Sequence, residues 1–554
     1  MLRELPLSLA TLLSGVATAA LSAIAGAAPP PQPAPLVVDA TPPSATPVIL
    51  NGSKIYNGIT IGQNNPGQVV DVTGDTLNLG GLNIGQNATS GSNTLEIVGG
   101  FLSNGIVSPV IVGDAGSRNS LLVNAGSATG IFVSGNLVVG NAAGSTANQV
   151  VIESGNLGNY ASQIFVGEYG ASNTMSIANG GYIFSIAGIL GDQAGADGNS
   201  VSVSGSGSTL ALAPGNSALV IGGSGNDNIV QVTGGGTISF LDATSTPEPT
   251  QTQLIIGSQG NGNQLYLSTG GSVASTGYLT VGDNGSSNLL TIDTQGTLSS
   301  TYSVLGKGAS SSGNVADIEF DGLWKIDSAA GWLIVGQEGS NNLVYVNGGV
   351  IAMSDLSTPP ASATPDIIVG ALGGSGNNLS IGYSGSVSHP GDIYVGENGS
   401  GNQLNLYFNG MLASGGAAYI GGGPDFSAAT FGGTRQAADN NSAVIDGTDT
   451  FWTIGGGLYV GAGFAPSSTG NSLFVQHGAV VSAGGDVFLG YDANSNNNLI
   501  SVTGLDGSDV PVPTSFSTPG AVRVGVTGDD AETPCPPAIR CRWVAQTLNS
   551  MMER

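Results

Sequence analysis

Charge and cysteine are scarce in this chain. Of its 554 residues 8% are charged, only ten are Lys or Arg and two are Cys, whereas a globular chain carries about 25% charged residues. The ten basic residues are scattered among 36 acidic ones and cannot form a surface that tracks phosphates, which argues against nucleic acid as a partner. Cys535 and Cys541 lie near the end, so most of the chain must fold without disulfides.

Long apolar runs are missing after the N-terminal region, since no later segment reaches the ~18 apolar residues needed to span a bilayer. Residues 1–27 combine Arg3, an apolar stretch from Leu5 to Ala25 and small residues at 25–27, which is typical of a cleaved signal peptide. An uncleaved membrane anchor is the alternative. We expect an exported protein, extracellular or at the cell surface, associated with an outer membrane if a separate translocator or anchor exists. A Pro-rich linker is expected over residues 28–50.

Glycine is abundant, with 92 residues, and it marks an internal repeat. LIIGSQGNGNQLYLSTGGSVAS at 254–275 aligns without a gap on LTVGDNGSSNLLTIDTQGTLSS at 279–300. The opening pattern, apolar-x-[VIL]-G, recurs seventeen times, on average every ~29 residues. We call its closing residues the anchor glycines: Gly62, Gly85, Gly113, Gly140, Gly167, Gly191, Gly222, Gly257, Gly282, Gly306, Gly336, Gly370, Gly396, Gly421, Gly461, Gly490 and Gly525.

A second repeated feature is an asparagine two positions before an apolar residue, which follows fifteen of the anchors. These residues are Asn93, Asn119, Asn148, Asn173, Asn199, Asn228, Asn263, Asn288, Asn314, Asn341, Asn377, Asn402, Asn441, Asn471 and Asn497. Side-chain amides carry both a donor and an acceptor, so a stacked column of them bonds from one repeat to the next without charge. The pattern predicts a structural asparagine ladder.

The repeat predicts an all-β fold. Each element has four to six residues, alternates apolar with polar, and is bounded by Gly, Asn or Ser, which are strand and turn signals. Strands this short cannot bury an apolar face alone, so neighbouring units must stack. We expect a parallel β-solenoid (β-helix) over residues 51–525, with about 16–17 coils of roughly 25–35 residues.

Insertions interrupt the repeat at residues 240–253, 354–366, 422–440 and 506–519. Solenoids place insertions on loops that are often functional, and tolerated length variation is the simpler explanation of them. Residues 526–554 hold both cysteines and three of the ten basic residues. We expect an atypical C-terminal tail there.

Three carboxylates form the most enzyme-like pattern. Asp317, Glu319 and Asp321 fall at alternate positions ahead of Trp324 and Lys325, and carboxylates on one strand face beside an aromatic residue could act on a sugar chain. The polar outer face of a strand explains the same spacing. They are candidate catalytic residues for the alternative function, a polysaccharide lyase or hydrolase.

No cofactor is expected from the remaining motifs. GGSGNDNIV at 222–230 matches a calcium-binding nonapeptide with Asp227 as ligand, but the following residues do not continue it. His389 and His477 are the only histidines and are 88 positions apart. Ordinary surface or loop roles account for both of them.

The seventeen units resemble the strand repeats in the passenger regions of bacterial autotransporters and related adhesins, in low charge, Gly/Asn/Ser/Thr richness and one-coil repeats. This resemblance implies a non-enzymatic stalk or adhesive surface outside the cell. The uncharged flank, rich in amides and hydroxyl groups, suits weak multivalent contact with glycans or with other copies of the chain as partners, and no small-molecule substrate is evident.

Overall fold

Among the described residues, regular structure begins with strand Leu36–Val38, ahead of the first anchor glycine. In the computed structural model, residues 33–525 are described except at 53, 79, 100, 105–107, 125–129, 134, 160–161, 214–216, 242–251, 275–276, 328–330, 355–365, 425–426, 433, 464 and 505–512. The predicted signal peptide and C-terminal tail lie outside the described residues. Within the described part of the chain, no helix is both long enough and apolar enough to cross a membrane.

Three parallel sheets account for nearly all the regular structure, which confirms the predicted all-β solenoid. Each coil contributes one short strand to each sheet, and each strand pairs in register with its counterparts in the coils before and after it. Seventeen steps of about 4.8 Å in sheet 1 give a stack roughly 80 Å long.

Sheet 1 has eighteen described strands: Leu36–Val38, Ile59–Ile61, Leu82–Ile84, Val110–Val112, Leu137–Val139, Gln163–Val166, Ala187–Leu190, Ala218–Ile221, Gln253–Ile256, Tyr278–Val281, Tyr302–Leu305, Trp332–Val335, Asp366–Val369, Ile393–Val395, Ala418–Gly422, Leu458–Gly463, Val487–Leu489 and Val522–Val524. Sheet 2 has seventeen: Val48–Leu50, Val69–Val72, Thr94–Ile97, Ser120–Asn124, Gln149–Glu153, Thr174–Ala178, Ser200–Ser204, Ile229–Thr233, Gln264–Leu267, Leu289–Ile292, Val315–Glu319, Leu343–Asn347, Asn378–Gly382, Gln403–Tyr407, Ser442–Asp446, Ser472–Gln476 and Leu499–Thr503. Sheet 3 has seventeen: Lys54–Tyr56, Thr76–Asn78, Phe101–Asn104, Gly130–Val133, Asn156–Asn159, Tyr182–Ser185, Thr209–Leu212, Thr237–Phe240, Ser272–Ala274, Thr297–Ser300, Leu323–Asp327, Val350–Ser354, Ser386–His389, Met411–Ser414, Phe451–Ile454, Val480–Ala483 and Ser515–Ser517.

The first coil of the structure begins earlier than the sequence suggests. Strands Leu36–Val38 and Val48–Leu50 pair with the next coil, although their residues fall in the segment expected to be a Pro-rich linker. The sheets therefore start at Leu36, before residue 51, because the prolines lie between these short strands and leave their pairing groups free.

One apolar core runs the length of the stack. Alternate strand residues point inward, as Leu290 and Ile292 do in sheet 2, and both are fully buried. Equivalent residues of successive coils join them in a single cluster. Each coil thus buries its neighbours' apolar faces, and a coil removed from the stack would lose its core on both sides.

The corner between sheets 1 and 2 depends on the anchor glycines. All seventeen have positive φ, between 65° and 83°, a backbone conformation that costs a residue with a Cβ about 1–2 kcal/mol. The side chain of a ladder asparagine from the next coil lies directly against each glycine from Gly62 to Gly461, so a Cβ there would overlap its amide. Glycine and asparagine recur together because one makes room for the other.

The asparagine ladder is continuous through fifteen coils. At each of its fourteen steps, the backbone N–H and the side-chain Nδ2 of one asparagine both donate to Oδ1 of the next, at 2.8–3.2 Å. The side chains are buried. Gln68 holds the position in the preceding coil and donates its N–H to Asn93 Oδ1.

Two members of the predicted ladder are wrong by one position in the sequence. Asn342 and Asn498 occupy the buried column, whereas Asn341 and Asn497 have positive φ and precede it. Both coils contain an Asn-Asn pair followed by two apolar residues, so the spacing rule fits either asparagine. The left-handed turn before the strand decides which of the two faces inward.

Candidate ligand-binding groove

The outer face of sheet 1 carries apolar residues that are not part of the solenoid core. Val304, Ile334, Ile368, Tyr394 and Tyr419 point away from the core and form a second buried cluster. The insertion 422–440 covers it with a short helix, Ser427–Phe431. Phe431 meets Trp332 edge-on, with ring centroids 5.3 Å apart. Since Trp332 lies three strands back in sheet 1, the insertion extends about 14 Å along the rod.

Polar contacts fasten this insertion to the sheet. The Ser427 N–H donates to the buried Glu397 carboxylate at 2.9 Å, and Asn398 Nδ2 donates to Ser427 Oγ at 3.0 Å. A buried polar group without a hydrogen-bond partner lowers the stability of the fold, and these two bonds supply partners to buried groups. The insertion is therefore a built element of the fold rather than a loop of tolerated extra length.

A buried carboxyl group lies beside the covered cluster. Asp366 follows Trp332 in the same outward column of sheet 1 and is 9% exposed. Burial raises the pKa of Asp366 to about 7; the N–H that Asp392 donates to its carboxylate acts in the opposite direction, and the negative charges of Asp392 and Glu397 add to the rise. Asp366 thus takes up a proton on folding between about pH 4 and 7.

We expect Asp366→Asn to stabilise the protein at pH 8. In the wild type the folded state must ionise this buried carboxyl group above pH 7, so its contribution to the free energy of unfolding falls as the pH rises from about 4 through 7. Asparagine keeps the oxygen that accepts the Asp392 N–H. The melting temperatures of variant and wild type should differ most at pH 8 and converge near pH 4; an equal difference at both pH values would contradict the assignment.

A groove of about 470 Å³ opens on sheet 1 where the short helix of the insertion ends. Ile255, Thr280 and Val304 point outward from three successive strands and form its floor. Tyr278 and Trp332 line one side, and Thr430 and Phe431 of the insertion border it. Volumes of this size are typical of small-molecule sites.

The rings beside the groove are stacked from coil to coil. Tyr278 and Tyr302 lie 4.9 Å apart between centroids, and Tyr302 and Trp332 lie 4.1 Å apart. Gln253 pairs with Tyr278 on the side away from the stack, so no ring from the neighbouring coil covers that face of Tyr278. Tyr278 is 39% exposed, so part of its side chain is accessible from the groove.

Polar side chains line the opposite side of the groove. Asp283, Lys307 and Gln337 follow the anchor glycines of three successive strands. Lys307 Nζ lies 2.7 Å from Asp283 Oδ1, so the basic group is neutralised by its neighbour. The groove offers hydrogen bonds on one side and rings on the other, with little net charge.

The carboxylates singled out in the sequence lie on a different sheet. Asp317 and Glu319 point outward from strand Val315–Glu319 of sheet 2. Burial and the neighbouring Glu319 carboxyl group raise the pKa of Asp317 to about 6. Sequence spacing does bring these two acids together, but on the flank of the rod and away from the groove.

The expected position of Asp321 on the same strand face is wrong. The strand ends at Glu319, and Phe320 and Asp321 form a turn with positive φ that leads into sheet 3. The expected position of Trp324 beside the acids is also wrong. Its ring is fully buried in the core, and its Nε1 donates to Ser300 Oγ at 3.0 Å. The aromatic residue is therefore not beside the acids.

The other singled-out residues occupy turns or separate coils. Asp227 has positive φ at the position before Asn228, the same turn that Asn341 and Asn497 adopt. The expected surface or loop role is wrong for His389, which is buried at the end of strand Ser386–His389, where its Nε2 contacts Ser414 Oγ at 2.9 Å. His477 Nδ1 contacts Asp446 Oδ1 at 2.5 Å. In the described part of the chain, no group of three or more His, Cys, Asp or Glu side chains is placed to hold a metal ion.

No protein family matches the chain, and no curated protein matches it. Among solved structures it is similar to a TibC-catalysed, hyper-glycosylated fragment of TibA. The identity is 14%, the match covers 71% of this chain and 98% of the fragment, and the TM-score is 0.32. Function must therefore be inferred from this chain's own geometry.

Proposed function

We propose that the protein is a non-enzymatic, exported β-solenoid that acts as a structural stalk and adhesive rod at the cell surface. The observation that carries the proposal is that the groove on sheet 1 lacks a close pair of acids. The groove on sheet 1 contains a carboxylate already paired with Lys307, whereas the close acid pair lies on sheet 2. Hydrolysis of a sugar chain needs two carboxylates flanking one bond, and the groove does not supply them.

The rod itself supports a mechanical and displaying role. Its amide ladder and single core run through consecutive coils, and such a stack transmits load between neighbours along its length. A regular rod presents the same outward columns repeatedly, which suits weak multivalent contact with glycans or with other copies of the chain.

An enzyme that acts on polysaccharides is the second candidate function. The raised pKa of Asp317 beside Glu319 favours it, because one acid of such a pair must stay protonated near neutral pH. Here Asp317 would be the acid and Glu319 the base or nucleophile. This function requires a substrate bound on the open flank of sheet 2.

The purified full chain should bind soluble polysaccharides without cleaving them. The measurement is release of reducing ends and unsaturated products from neutral and acidic polymers, beside retention of the chain on the same immobilised polymers. Asp317→Asn and Glu319→Gln serve as matched variants, each preserving side-chain size. Cleavage that disappears in Asp317→Asn would make the protein an enzyme and reject the stalk.

A further inference from the structure

The geometry points to a ligand class for the groove on sheet 1: we propose that it binds a short segment of an uncharged polysaccharide. This inference rests on the proposed adhesive function and gives it a site. The groove crosses four strands of sheet 1, from Gln253–Ile256 to Trp332–Val335. That span is about 14 Å along the rod, so an extended chain of several sugar units can lie along it.

The lining is complementary to the apolar and the polar parts of a sugar ring. A pyranose has an apolar face of C–H bonds and a rim of hydroxyl groups. The partly exposed ring of Tyr278 and the side chain of Ile255 on the floor can pack against C–H bonds, while Gln253 and Gln337 can hydrogen-bond hydroxyls. A purely apolar ligand would leave those amides without partners.

Charge selects a neutral polymer. Among the lining residues, Lys307 is the one basic side chain, and Asp283 already neutralises it at 2.7 Å. The whole chain carries a formal net charge of −26, so an anionic polymer would be repelled as it approaches. A cationic polymer gains little in the groove, because the lining presents no carboxylate other than Asp283.

The insertion makes the groove specific to this part of the rod. Farther along sheet 1, Tyr394, Tyr419, Tyr459 and Phe488 also stack, at 4.6–5.0 Å. Stacked rings are therefore a structural feature of the sheet. Thr430 and Phe431 add a border at one place only, where they meet Trp332.

The test is affinity electrophoresis of the full chain through gels that contain dextran, mannan, xylan, β-1,3-glucan, alginate or polygalacturonate. We expect retardation by at least one neutral polymer and weaker or no retardation by the two anionic ones. Tyr278→Ala should weaken binding by at least about tenfold, as expected for a central aromatic contact. Tyr383→Ala, which removes an exposed ring outside the groove, should change it by less than about twofold.

Thr280→Tyr tests the same site without removing a ring. Thr280 points outward from the groove floor, so a tyrosine there fills the space and should abolish binding. If the wild type binds but Tyr278→Ala and Thr280→Tyr bind equally well, the groove is not the site, and the adhesive function stands. Preference for alginate also overturns the groove proposal. A wild type that binds none of the polymers rejects glycan adhesion itself.

Discussion

Replacing Asn288 by alanine is expected to break the solenoid near its middle. Asn288 Oδ1 accepts from the N–H and Nδ2 of Asn263, and its own Nδ2 donates to Asn314 Oδ1. Alanine removes all three bonds inside a fully buried column. The Asn263 N–H is then left without an acceptor, at about 1–3 kcal/mol. Asn263 Nδ2 still donates to Asn261 O and Asn314 Oδ1 still accepts the Asn288 N–H, so each of these groups loses one bond worth about 0.5–1.5 kcal/mol. The free energy of unfolding should therefore fall by about 2 to 6 kcal/mol.

Hydrogen exchange and urea denaturation measure this loss. In a stack of nearest neighbours, a central break lets the two halves open separately, so the Asn263 amide should lose protection and one unfolding transition should become two. Asn284→Ala is the matched control, because Asn284 lies in the same coil but is exposed, and surface changes stay within about 0.5 kcal/mol. Equal effects of the two substitutions would show that the ladder does not stabilise the stack.

Replacing the anchor glycine Gly257 by alanine should be nearly as damaging. Gly257 has φ +75°, and a Cβ there would overlap the side-chain amide of Asn288. The left-handed backbone costs about 1–2 kcal/mol, and forcing the packed coils apart costs a further ~1–3 kcal/mol. We expect the free energy of unfolding to fall by about 2 to 5 kcal/mol, measured in urea as for Asn288→Ala.

The control for this substitution is Gly144→Ala. Gly144 has no positive φ, and a Cβ at this residue would have no heavy atom within 4 Å, so alanine there should be neutral or stabilise by up to ~1 kcal/mol. In the double variant Gly257→Ala/Asn288→Ala the overlapping amide is gone. The two losses should therefore sum to more than the measured loss of the pair; strict additivity would refute the contact.

The ladder illustrates how far sequence reasoning reaches. Thirteen of its fifteen members follow from spacing alone, because the same residue must recur wherever the same backbone turn recurs. The spacing rule misplaces the other two, at Asn341 and Asn497, by one residue since their neighbours are also asparagines. The distinguishing signal is the buried residue two positions on, such as Val344 after Asn342, which the sequence marks as apolar but not as buried.

The groove could not be predicted in the same way. Tyr278 and Trp332 are 54 positions apart in the chain, and Phe431 follows Trp332 by a further 99. The repeat places Tyr278 and Trp332 in one column, but the path of the insertion 422–440 back along sheet 1 leaves no periodic trace. The acids at 317–321 fit a catalytic pattern in the sequence, because alternation does not reveal that the strand stops at Glu319.

The sequence by itself determined the coil: strands of three to six residues, their inward faces, and the pairing of the anchor glycines from Gly62 to Gly461 with an asparagine of the next coil. These features are set by local backbone geometry and repeat with it. Only the tertiary structure decided which outward residues are covered, that Phe431 reaches Trp332, and that a groove remains beside Tyr278. The physical reason is that packing on the outside of the rod depends on where one non-repeating insertion lies, and each of its contacts is made once.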